Sequence, residues 1–399
     1  MDGPPIRNGA VLFGGNGRIE AVGTQGGISS PADAESSDWR DAVILPGLVN
    51  THTHLELTGF AGMAGEDDFS AWIRRIRTLK ADRSAAEFLA AARQGLADCH
   101  AAGVTTVADT GDSGAVIEAL AEAGGSGIAY HEVFGPHPEQ VTESMAGLRQ
   151  RVAALRRFSS DRVRLGVSPH APYTVSGELY RAVAEFAEQE RLPIAVHLAE
   201  SEAESQLVTG GAGAFADAWR ARGIPLPDSV GTSPVAWLDA HGVLGGRTLA
   251  IHLVRADDDD VARLRRSQTS VAHCPLSNQR HRHGAAPLAA FLDADLAVGV
   301  GTDSVASVGR LDLLAEARAA RALAGLSAEE ALSLVTAGAA RAIGLEGEVG
   351  ALRPGLWGDV TVMKIEGTEL PGEAVEAALA SSPSGVVETI LGGRTVYRV

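Results

Sequence analysis

The stretch Asp41–Phe60, DAVILPGLVNTHTHLELTGF, decides the fold and indicates its chemistry. An apolar run over Val43–Asn50 predicts a buried strand, and His52-Thr53-His54 comes directly after it. Side chains two residues apart on a strand point to the same face, so the two histidines can project together from its carboxyl end. Neutral imidazole is a common ligand of zinc or iron, so the pair is a natural start for a metal site. An isolated pair of this kind also fits two polar residues in a loop.

The composition limits the classes of protein to which the chain can belong. Its 399 residues suit a barrel of about 250 residues with an accessory domain. A membrane span is not expected, because no apolar run of about 18 residues is free of glycine, proline and charge. A signal peptide is not expected either, because the N-terminus lacks a basic segment followed by an apolar one. Only Cys99 and Cys274 are present, which predicts no disulfide framework and a cytoplasmic location. The net charge of −16 argues against a nucleic-acid partner.

Both ends of the chain consist of short β-type pieces separated by turn residues. Asn16-Gly17 predicts a two-residue hairpin near the N-terminus, and Gly392-Gly393 predicts a turn between the last two strands. We therefore expect residues 1–45 and 346–399 to fold together as one small β-sandwich beside the main domain. The predicted strands of these segments are Ala10–Phe13, Arg18–Val22, Ala42–Leu45, Thr361–Met363, Val386–Leu391 and Thr395–Val399.

Residues 46–345 have a different pattern, in which short apolar runs alternate with amphipathic stretches rich in alanine and leucine. This alternation is typical of βα units around a parallel sheet, and eight predicted strands favour an α/β fold, a closed (β/α)8 barrel of the TIM type. An open doubly wound sheet is disfavoured because no glycine-rich phosphate loop follows an early strand. The predicted strands are Val43–Asn50, Thr105–Asp109, Gly127–Phe134, Arg164–Ser168, Ile194–Leu198, Thr248–Leu253, Ser270–His273 and Ala297–Thr302. The predicted helices include Ala85–Ala102, Gly114–Ala123, Val141–Arg157, Ser176–Glu190 and Asp257–Arg266.

Polar residues follow these strands at their carboxyl ends, where a TIM barrel carries its active site. Six of the 12 histidines stand there, with one glutamate and one aspartate. A single histidine at such a place is more often structural, but a packing role does not explain the whole set. The residues are His52, His54, His170, His197, Glu200, His252, His273 and Asp303.

Six motifs, in this order, resemble those of the amidohydrolase superfamily: PGLVNTHTH, SPHAPYTVS, VHLAES, LAIHLV, VAHCPLSN and VGTDS. Within it they resemble the branch of cytosine-deaminase-like and chlorohydrolase-like enzymes that includes the methylthioadenosine/S-adenosylhomocysteine deaminases. The resemblance extends from about Leu45 to Asp359 and ends in GALRPGLWGDV, a segment typical of the return to the β-sandwich. The motifs are specific for the family and much less specific for the substrate.

The resemblance implies a metal centre. His52, His54, His197 and Asp303 would hold one divalent ion, usually zinc and in some relatives iron. Three imidazoles and a carboxylate leave a position for water, whose pKa the metal lowers toward neutrality.

The resemblance also implies the proton-transfer residues. Glu200, three residues after ligand His197, would carry a proton from the attacking water to a ring nitrogen of the substrate. Asp303 would act as a base as well as a ligand, and His252 would orient the nucleophile and stabilise the developing charge. Taken without its spacing from His197, Glu200 also fits a solvated surface glutamate.

The lysine content bears on the number of metal ions. Relatives with two metals usually bridge them with a carboxylated lysine from the fourth strand. The only lysines here are Lys80 and Lys364, and neither is near that strand in the sequence, where His170 stands instead. We therefore predict a single metal ion.

Five residues are candidates for substrate contacts. His170 and Asn278 resemble positions that contact the heterocycle in purine-type deaminases, and His273 would either line the pocket or support it from behind. Glu56 could reach ribose hydroxyls, although it equally fits a salt bridge with an arginine such as Arg74.

Trp72 belongs to the long connection after the first strand, which often caps the pocket in this family, although packing alone also explains it. Two positions depart from the methylthioadenosine-type pattern. Leu249 stands where those enzymes tend to have a further histidine, and His281 stands where the family usually has an apolar residue. The HTHLE start resembles aminodeoxyfutalosine deaminases more closely.

The resemblance thus predicts a metal-dependent deaminase of an amino-substituted N-heterocycle, with an adenine nucleoside derivative as the expected substrate. Guanine- or cytosine-type deamination, triazine-type dechlorination and cyclic amide hydrolysis stay open as alternatives. A non-catalytic barrel module is disfavoured because the four ligands and Glu200 are all present. The expected partner is a small-molecule substrate, with no nucleic acid and no membrane, and a homodimer or higher homo-oligomer is expected from the family.

Overall fold

The computed structural model describes residues 3–228, 231–365 and 370–399, so part of the predicted segment 346–399, residues 366–369, lies outside the described residues. The strands are β1 (Gly9–Phe13), β2 (Ile19–Thr24), β3 (Ala42–Pro46), β4 (Leu48–Thr53), β5 (Val104–Gly111), β6 (Gly127–Val133), β7 (Val163–Pro169), β8 (Ile194–Leu198), β9 (Thr248–His252), β10 (Ser270–His273), β11 (Val298–Val300), β12 (Val360–Lys364), β13 (Val386–Leu391) and β14 (Arg394–Arg398). The α-helices are α1 (Phe69–Ala81), α2 (Ala85–Ala101), α3 (Ala115–Ala123), α4 (Val141–Leu155), α5 (Gly177–Glu190), α6 (Glu202–Gly210), α7 (Gly213–Ala221), α8 (Pro234–Ala240), α9 (Asp258–Ser267), α10 (Pro275–Arg280), α11 (Leu288–Asp293), α12 (Val305–Val308), α13 (Leu313–Ala324), α14 (Ala328–Ser333), α15 (Ala337–Ala342) and α16 (Pro371–Ala380).

Strands β4 to β11 form one parallel sheet of eight strands in sequential order, with at least one helix between each two consecutive strands, which confirms the predicted (β/α)8 barrel. Every residue of β5 is buried because the strand faces the barrel interior on one side and helices on the other. The five predicted helices match α2, α3, α4, α5 and α9 to within two residues at each end. In the ranges that the structure describes, no helix has both the length and the apolar character of a membrane span.

The two ends of the chain meet in an accessory β-unit, as predicted. Strand β3 pairs antiparallel with β12, with Pro46 opposite Val360, and the sheet continues to β13 and β14. The hairpin of β1 and β2 forms a separate two-stranded sheet, and a bridge between Arg18 and Trp357 joins it to the second segment. Gly392-Gly393 forms the turn between β13 and β14, and both glycines have positive φ.

The bounds predicted for the first barrel strand, Val43–Asn50, are wrong. The segment is divided between β3, which belongs to the accessory sheet, and β4, which opens the barrel. The chain changes sheets at Pro46 and Gly47, and a Cβ at Gly47 would lie 2.2 Å from Thr105 Oγ1. Apolar composition could not separate the two strands because both are rich in valine, leucine and isoleucine.

The first and last strands of the barrel meet at their carboxyl ends. Asn50 Oδ1 accepts from the backbone N–H of Thr302 at 3.1 Å, and Asn50 Nδ2 donates to Thr302 Oγ1 at 2.8 Å. The backbone N–H of Asp303 donates to His52 O at 3.0 Å. Gly301 permits this approach, because a Cβ there would lie 2.5 Å from the backbone nitrogen of His52. The closure therefore places His52 and Asp303 side by side.

A layer of helices covers the carboxyl end of the barrel. Helix α1 follows β4, and its Phe69 and Trp72 belong to one apolar cluster with Tyr173, Phe215 of α7 and Trp219 of α7. The rings of Tyr173 and Phe215 stack with their centroids 4.3 Å apart. Aromatic side chains of this size bury large areas, so the layer is anchored to the barrel over its mouth.

Candidate active site

The four predicted metal ligands lie together and are here called the metal cluster. His52 is on β4, His54 directly follows it, His197 is on β8, and Asp303 follows β11. Ring nitrogens of the three histidines lie within 4.8 Å of one another, and Asp303 Oδ1 lies 3.6 Å from His52 Nε2 and 3.5 Å from His54 Nε2. Ligand atoms of a tetrahedral zinc site stand about 3.3–3.6 Å apart when the bonds are about 2.0–2.2 Å long. The distances from Asp303 to His52 and His54 match this spacing, and the three imidazoles lie close enough to share the same small divalent ion.

Hydrogen bonds orient two of the histidine rings. His54 Nδ1 donates to Thr110 O at 2.8 Å, and His197 Nδ1 donates to His170 O at 3.1 Å, since a carbonyl oxygen can only accept. Each Nε2 atom then carries a lone pair, and the two face each other at 3.3 Å. Two lone pairs at this distance repel unless a cation lies between them. Both ring nitrogens of His52 are buried without a hydrogen-bond partner among the described residues, which also fits a metal ligand.

The protonation states of the cluster suit a metal ion. Burial lowers the pKa of His54 to about 3 and holds the pKa of His197 well below its ordinary value, so both rings are neutral at pH 7. Burial opposes ionisation of Asp303, but the neighbouring histidines outweigh it and hold the pKa of Asp303 well below its ordinary value. Ser304 N donates to its Oδ1 at 2.7 Å and Ser277 Oγ to its Oδ2 at 2.5 Å. Neutral imidazoles and an ionised carboxylate are the metal-binding forms.

Glu200 lies beside the metal cluster and is 4% exposed. Its Oε1 is 3.6 Å from His252 Nε2 and 3.5 Å from His283 Nε2, and its Oε2 is 3.5 Å from the hydroxyl of Tyr173. Burial opposes ionisation of Glu200, but His252 and His283 outweigh it and lower the pKa of Glu200 to about 2. An ionised carboxylate in this place can accept a proton. His283 was not predicted, although it stands two residues after His281 in QRHRHG.

His252 ends β9, and its Nδ1 lies 2.9 Å from Asn278 Oδ1. The amide oxygen can only accept, so Nδ1 carries the proton and Nε2 is left to face Glu200. Asn278 therefore orients His252 from behind, and a direct contact between Asn278 and substrate stays a prediction.

The backbone around the site adopts an uncommon conformation. Positive φ angles occur at Ala199 (51°), His252 (73°), Leu253 (51°) and Asp303 (58°). Residues with a side chain seldom adopt this region, at a cost of about 1–3 kcal/mol each. Such strain persists only where the surroundings determine the conformation, and it is common at active sites.

Glu204 secures one of these strained turns. Its carboxylate is fully buried and accepts from the backbone N–H of Ala199 at 2.6 Å and of Glu200 at 2.9 Å. Sequence reasoning missed Glu204, although Ser201 and Glu204 have the spacing of a helix capping box. In the structure the glutamate reaches past Ser201 and holds the turn that carries Glu200.

A cavity of about 1290 Å³ opens from the metal cluster toward the helical layer. Its inner end is polar, one wall is aromatic, and its outer part carries arginines. The polar residues are His54, His170, His197, Glu200, His252 and Asp303. The aromatic wall consists of Phe69, Trp72, Tyr173, Phe215 and Trp219, and the arginines are Arg74, Arg77, Arg151, Arg157 and Arg222.

Two of the predicted substrate contacts line this cavity. His170 stands after β7 beside the metal cluster, and Trp72 projects from α1 with its ring 4.6 Å from that of His281. His273 is fully buried on β10, outside the set of described residues that line the cavity. Of the two roles predicted for His273, this position fits the one in which it supports the pocket from behind.

Glu56 forms a salt bridge, but with Lys80 and not with Arg74. Lys80 Nζ lies 2.6 Å from Glu56 Oε1 and 2.5 Å from Asp112 Oδ1, and these three residues are here called the lysine cluster. Glu56 also accepts from the backbone N–H of Ser113 at 3.1 Å. Lys80 and Asp112 line the cavity, whereas Glu56 is not among the described residues that line it. Contact of Glu56 with substrate stays a prediction.

Glu132 is a second cavity residue that sequence reasoning missed. It is the penultimate residue of β6, it is 6% exposed, and it lines the cavity. Burial raises the pKa of Glu132 to about 8, although the charge of Lys80 opposes this. Its position at the carboxyl end of the third barrel strand could have identified it from the sequence as a candidate site residue.

A closed barrel with a metal cluster of this kind beside a deep cavity places the molecule among the metal-dependent hydrolases. The chain belongs to the amidohydrolase family, whose sequence model, described as "Amidohydrolase family", matches residues 43–396. This match confirms the resemblance drawn from the motifs.

Individual relatives agree with the family assignment. The chain is 32% identical over 408 aligned residues to the 5-methylthioadenosine/S-adenosylhomocysteine deaminase of Symbiobacterium thermophilum, covering 98% of this chain and 89% of the relative. It is 32% identical over 358 residues to the aminodeoxyfutalosine deaminase of Deinococcus radiodurans, covering 86% and 83%. The crystal structure of an adenosine deaminase from Xanthomonas campestris with bound zinc has the same fold, with a TM-score of 0.85, 24% identity and coverage of 98% and 89%.

Proposed function

We propose that this protein is a metal-dependent aminohydrolase that removes the exocyclic amine from an adenine nucleoside derivative and releases ammonia. The observation that carries the proposal is the position of Glu200. It lies buried beside the metal cluster, within 3.6 Å of His252, at the inner end of a cavity large enough for a nucleoside. The relatives named as deaminases of adenine nucleoside derivatives support the substrate class.

We propose one zinc ion as the cofactor, held by His52, His54, His197 and Asp303. When bound, this ion lowers the pKa of a water molecule and so supplies a nucleophile at neutral pH. The facing lone pairs of His54 and His197 support the assignment of a cation to this place. A relative of the same fold contains bound zinc, which favours zinc over iron.

In the proposed reaction, Glu200 accepts a proton and passes it to a ring nitrogen of the substrate. The carboxylate suits the first step because it is ionised beside the metal cluster, and it suits the second because it lines the cavity. Asn278 holds the His252 ring through Nδ1, and His252 stabilises the negative charge that develops beside the ring carbon when its Nε2 carries a proton as well. The water oxygen adds to the ring carbon, the exocyclic amine takes up the second proton of that water, and the carbon–nitrogen bond then breaks to release ammonia. The buried site excludes bulk water.

The aromatic wall suits the flat heterocycle. Phe69 and Trp72 stack at a centroid distance of 5.9 Å, and both belong to the helical layer over the barrel mouth. A purine ring can bury its faces against such side chains while its amine points toward the metal cluster. The arginines of the outer cavity would then face the part of the substrate beyond the sugar.

A screen of ammonia release tests the proposal. Adenosine, 5′-deoxyadenosine, 5′-methylthioadenosine, S-adenosylhomocysteine and aminodeoxyfutalosine would be compared with guanine, cytosine, a chlorotriazine and a cyclic amide, with chloride and ring opening followed for the last two. We expect turnover of at least one adenine nucleoside, and loss of it after removal of metal with a chelator and return of it after addition of zinc. Turnover confined to guanine, cytosine, the triazine or the amide would contradict the proposal, as would an inactive enzyme with stoichiometric zinc.

A further inference from the structure

The side chain of Glu132 has no role in the chemistry above, yet it is placed as a binding group. It is 6% exposed, it lines the cavity, and its Oε1 is buried without a hydrogen-bond partner among the described residues. A buried carboxyl oxygen without a partner is costly, so an unfilled acceptor that faces a cavity indicates a ligand.

His170 lies close to Glu132 at the cavity. One ligand atom of each of Glu132, His170 and His197 lies within 4.8 Å of the other two. His197 is committed, because its Nδ1 donates to His170 O and its Nε2 faces His54. Glu132 and His170 are therefore left to bind a group that enters from the cavity.

The tautomer of His170 follows from its hydrogen bonds. His170 Nδ1 lies 2.8 Å from Thr174 Oγ1, and the Thr174 hydroxyl donates its proton to Ala171 O at 3.1 Å. A hydroxyl has only one proton to donate, so His170 Nδ1 must be the donor to Thr174. With Nδ1 as the donor, Nε2 of the neutral His170 ring is the acceptor.

Two acceptors therefore converge on one place in the cavity. Glu132 retains an acceptor oxygen whether its carboxyl group is ionised or neutral, and His170 contributes its Nε2. The ammonium group of Lys80 already binds Glu56 and Asp112 at 2.6 and 2.5 Å. A ligand group that satisfies both acceptors must carry two donors close together, as the adjacent hydroxyls of a ribose do.

We propose that Glu132, together with His170, binds the 2′- and 3′-hydroxyls of the substrate ribose and so selects ribonucleosides. This inference rests on the proposed deaminase function and adds a specificity determinant to it. A second divalent cation is the competing occupant. It is disfavoured because His197 Nδ1 carries a proton and leaves only two protein ligands, Glu132 and His170.

The test compares adenosine with 2′,3′-dideoxyadenosine, or the corresponding pair built on whichever 5′-substituted adenosine the enzyme prefers. The variants are Glu132→Leu, which removes the acceptor, and Glu132→Gln, which keeps a neutral amide oxygen as acceptor. The second variant keeps the test valid if Glu132→Leu does not fold. Glu139→Gln is the control, because it removes a carboxylate from the loop after the same strand, where the side chain is 90% exposed. Zinc content and thermal unfolding would be measured for every variant.

We expect the kcat/KM of Glu132→Leu on the ribonucleoside to fall about 10- to 100-fold, and that of Glu132→Gln by a smaller factor, because a ribose hydroxyl loses its buried acceptor or keeps a weaker one. The kcat/KM on the dideoxynucleoside should change less than about threefold, since it lacks both hydroxyls. Glu139→Gln should match wild type on both substrates.

Equal losses on both substrates would overturn the inference and leave the proposed function intact, because they would assign Glu132 a structural role. A wild-type zinc content of two per chain that falls to one in Glu132→Gln would also overturn it, in favour of a second cation. Failure of the wild-type enzyme to deaminate any nucleoside would overturn the proposed function and this inference with it.

Discussion

The metal cluster and the lysine cluster lie at one cavity but are built differently. His52, His54 and His197 lie in or next to barrel strands, so the sheet itself brings them together. Lys80 comes from α1 and reaches Glu56, just after β4, and Asp112, just after β5, through its long side chain. A strand end fixes a side chain by backbone geometry, whereas the lysine cluster depends on its own ion pairs. The two clusters should therefore respond differently to substitution.

The largest expected effect is on chemistry at the metal cluster. Glu200→Gln should lower kcat by about 10²- to 10⁴-fold, because the amide cannot accept and return a proton. Zinc content and thermal stability should stay close to wild type, since Glu200 is not among the four proposed ligands. Steady-state ammonia release and metal analysis measure both. Retained turnover in a zinc-loaded variant would contradict the role of Glu200 as proton carrier.

The second effect is on stability at the lysine cluster. Lys80→Met should destabilise the fold by about 3–5 kcal/mol, because it leaves the buried carboxylate of Glu56 without its cation. Glu56 and Asp112 together outweigh the burial of Lys80 and raise its pKa, so the lysine stays charged. Urea unfolding at pH 7 measures the loss.

A matched control is Arg220→Met. It removes an exposed ion pair with Asp217 at 2.9 Å, for which a loss of about 0–1 kcal/mol is expected. The double variant Lys80→Met/Glu56→Gln should recover part of the stability, because it also removes the unpaired charge. Equal losses in Lys80→Met and Arg220→Met would show that the lysine cluster contributes no more than a surface pair.

The third effect separates positioning from ligation at the metal cluster. Asn278→Leu should lower kcat about 10- to 100-fold while KM and zinc content change little, because His252 loses the hydrogen bond that fixes its tautomer. The pH profile of kcat should shift as well, and Asn278→Asp, which keeps an acceptor oxygen, should recover activity. A rise in KM with unchanged kcat would instead support the predicted contact of Asn278 with substrate.

The same contrast explains what could be inferred from sequence. Histidines at strand ends appear in the sequence directly after apolar runs, so the barrel and a group of polar residues at its mouth were predictable. The choice of His52, His54, His197 and Asp303 as the metal ligands came from the resemblance to the family. The partner of Glu56 was not, because Arg74 and Lys80 are both on α1 and no spacing rule decides which one reaches back to β4. The division of Val43–Asn50 between two sheets also depends on tertiary pairing, since the residues on both sides of Pro46 have the same apolar character.

Glu132 and Glu204 were missed for a related reason. Each is one acidic residue in a helix or strand, and its importance follows only from what surrounds it. Glu204 has backbone amides within 2.9 Å, and Glu132 has an oxygen beside the cavity for which the described residues offer no hydrogen-bond partner. A pattern in the sequence shows where a side chain begins, but the folded chain decides which groups it meets.

The smallest effect concerns His131, which lies next to Glu132 on β6 but is not a proposed metal ligand. Burial first, and then the charges of Arg151 and Lys80, lower the pKa of His131 to about 4, although Asp112 opposes this. In the unfolded chain a histidine has a pKa of about 6.5, so between pH 6.5 and pH 4 the unfolded state binds more protons than the folded state. The free energy of unfolding should therefore fall by about 2 kcal/mol between pH 7.5 and pH 5 through this residue.

The variant His131→Gln is the control. Its side chain cannot take up the proton, so its free energy of unfolding should fall less over the same range. Urea unfolding of both metal-free proteins at the two pH values measures the difference without a contribution from metal release. If the two proteins lose equal stability, His131 is protonated in the folded state, and the lysine cluster does not exclude a further positive charge from its surroundings.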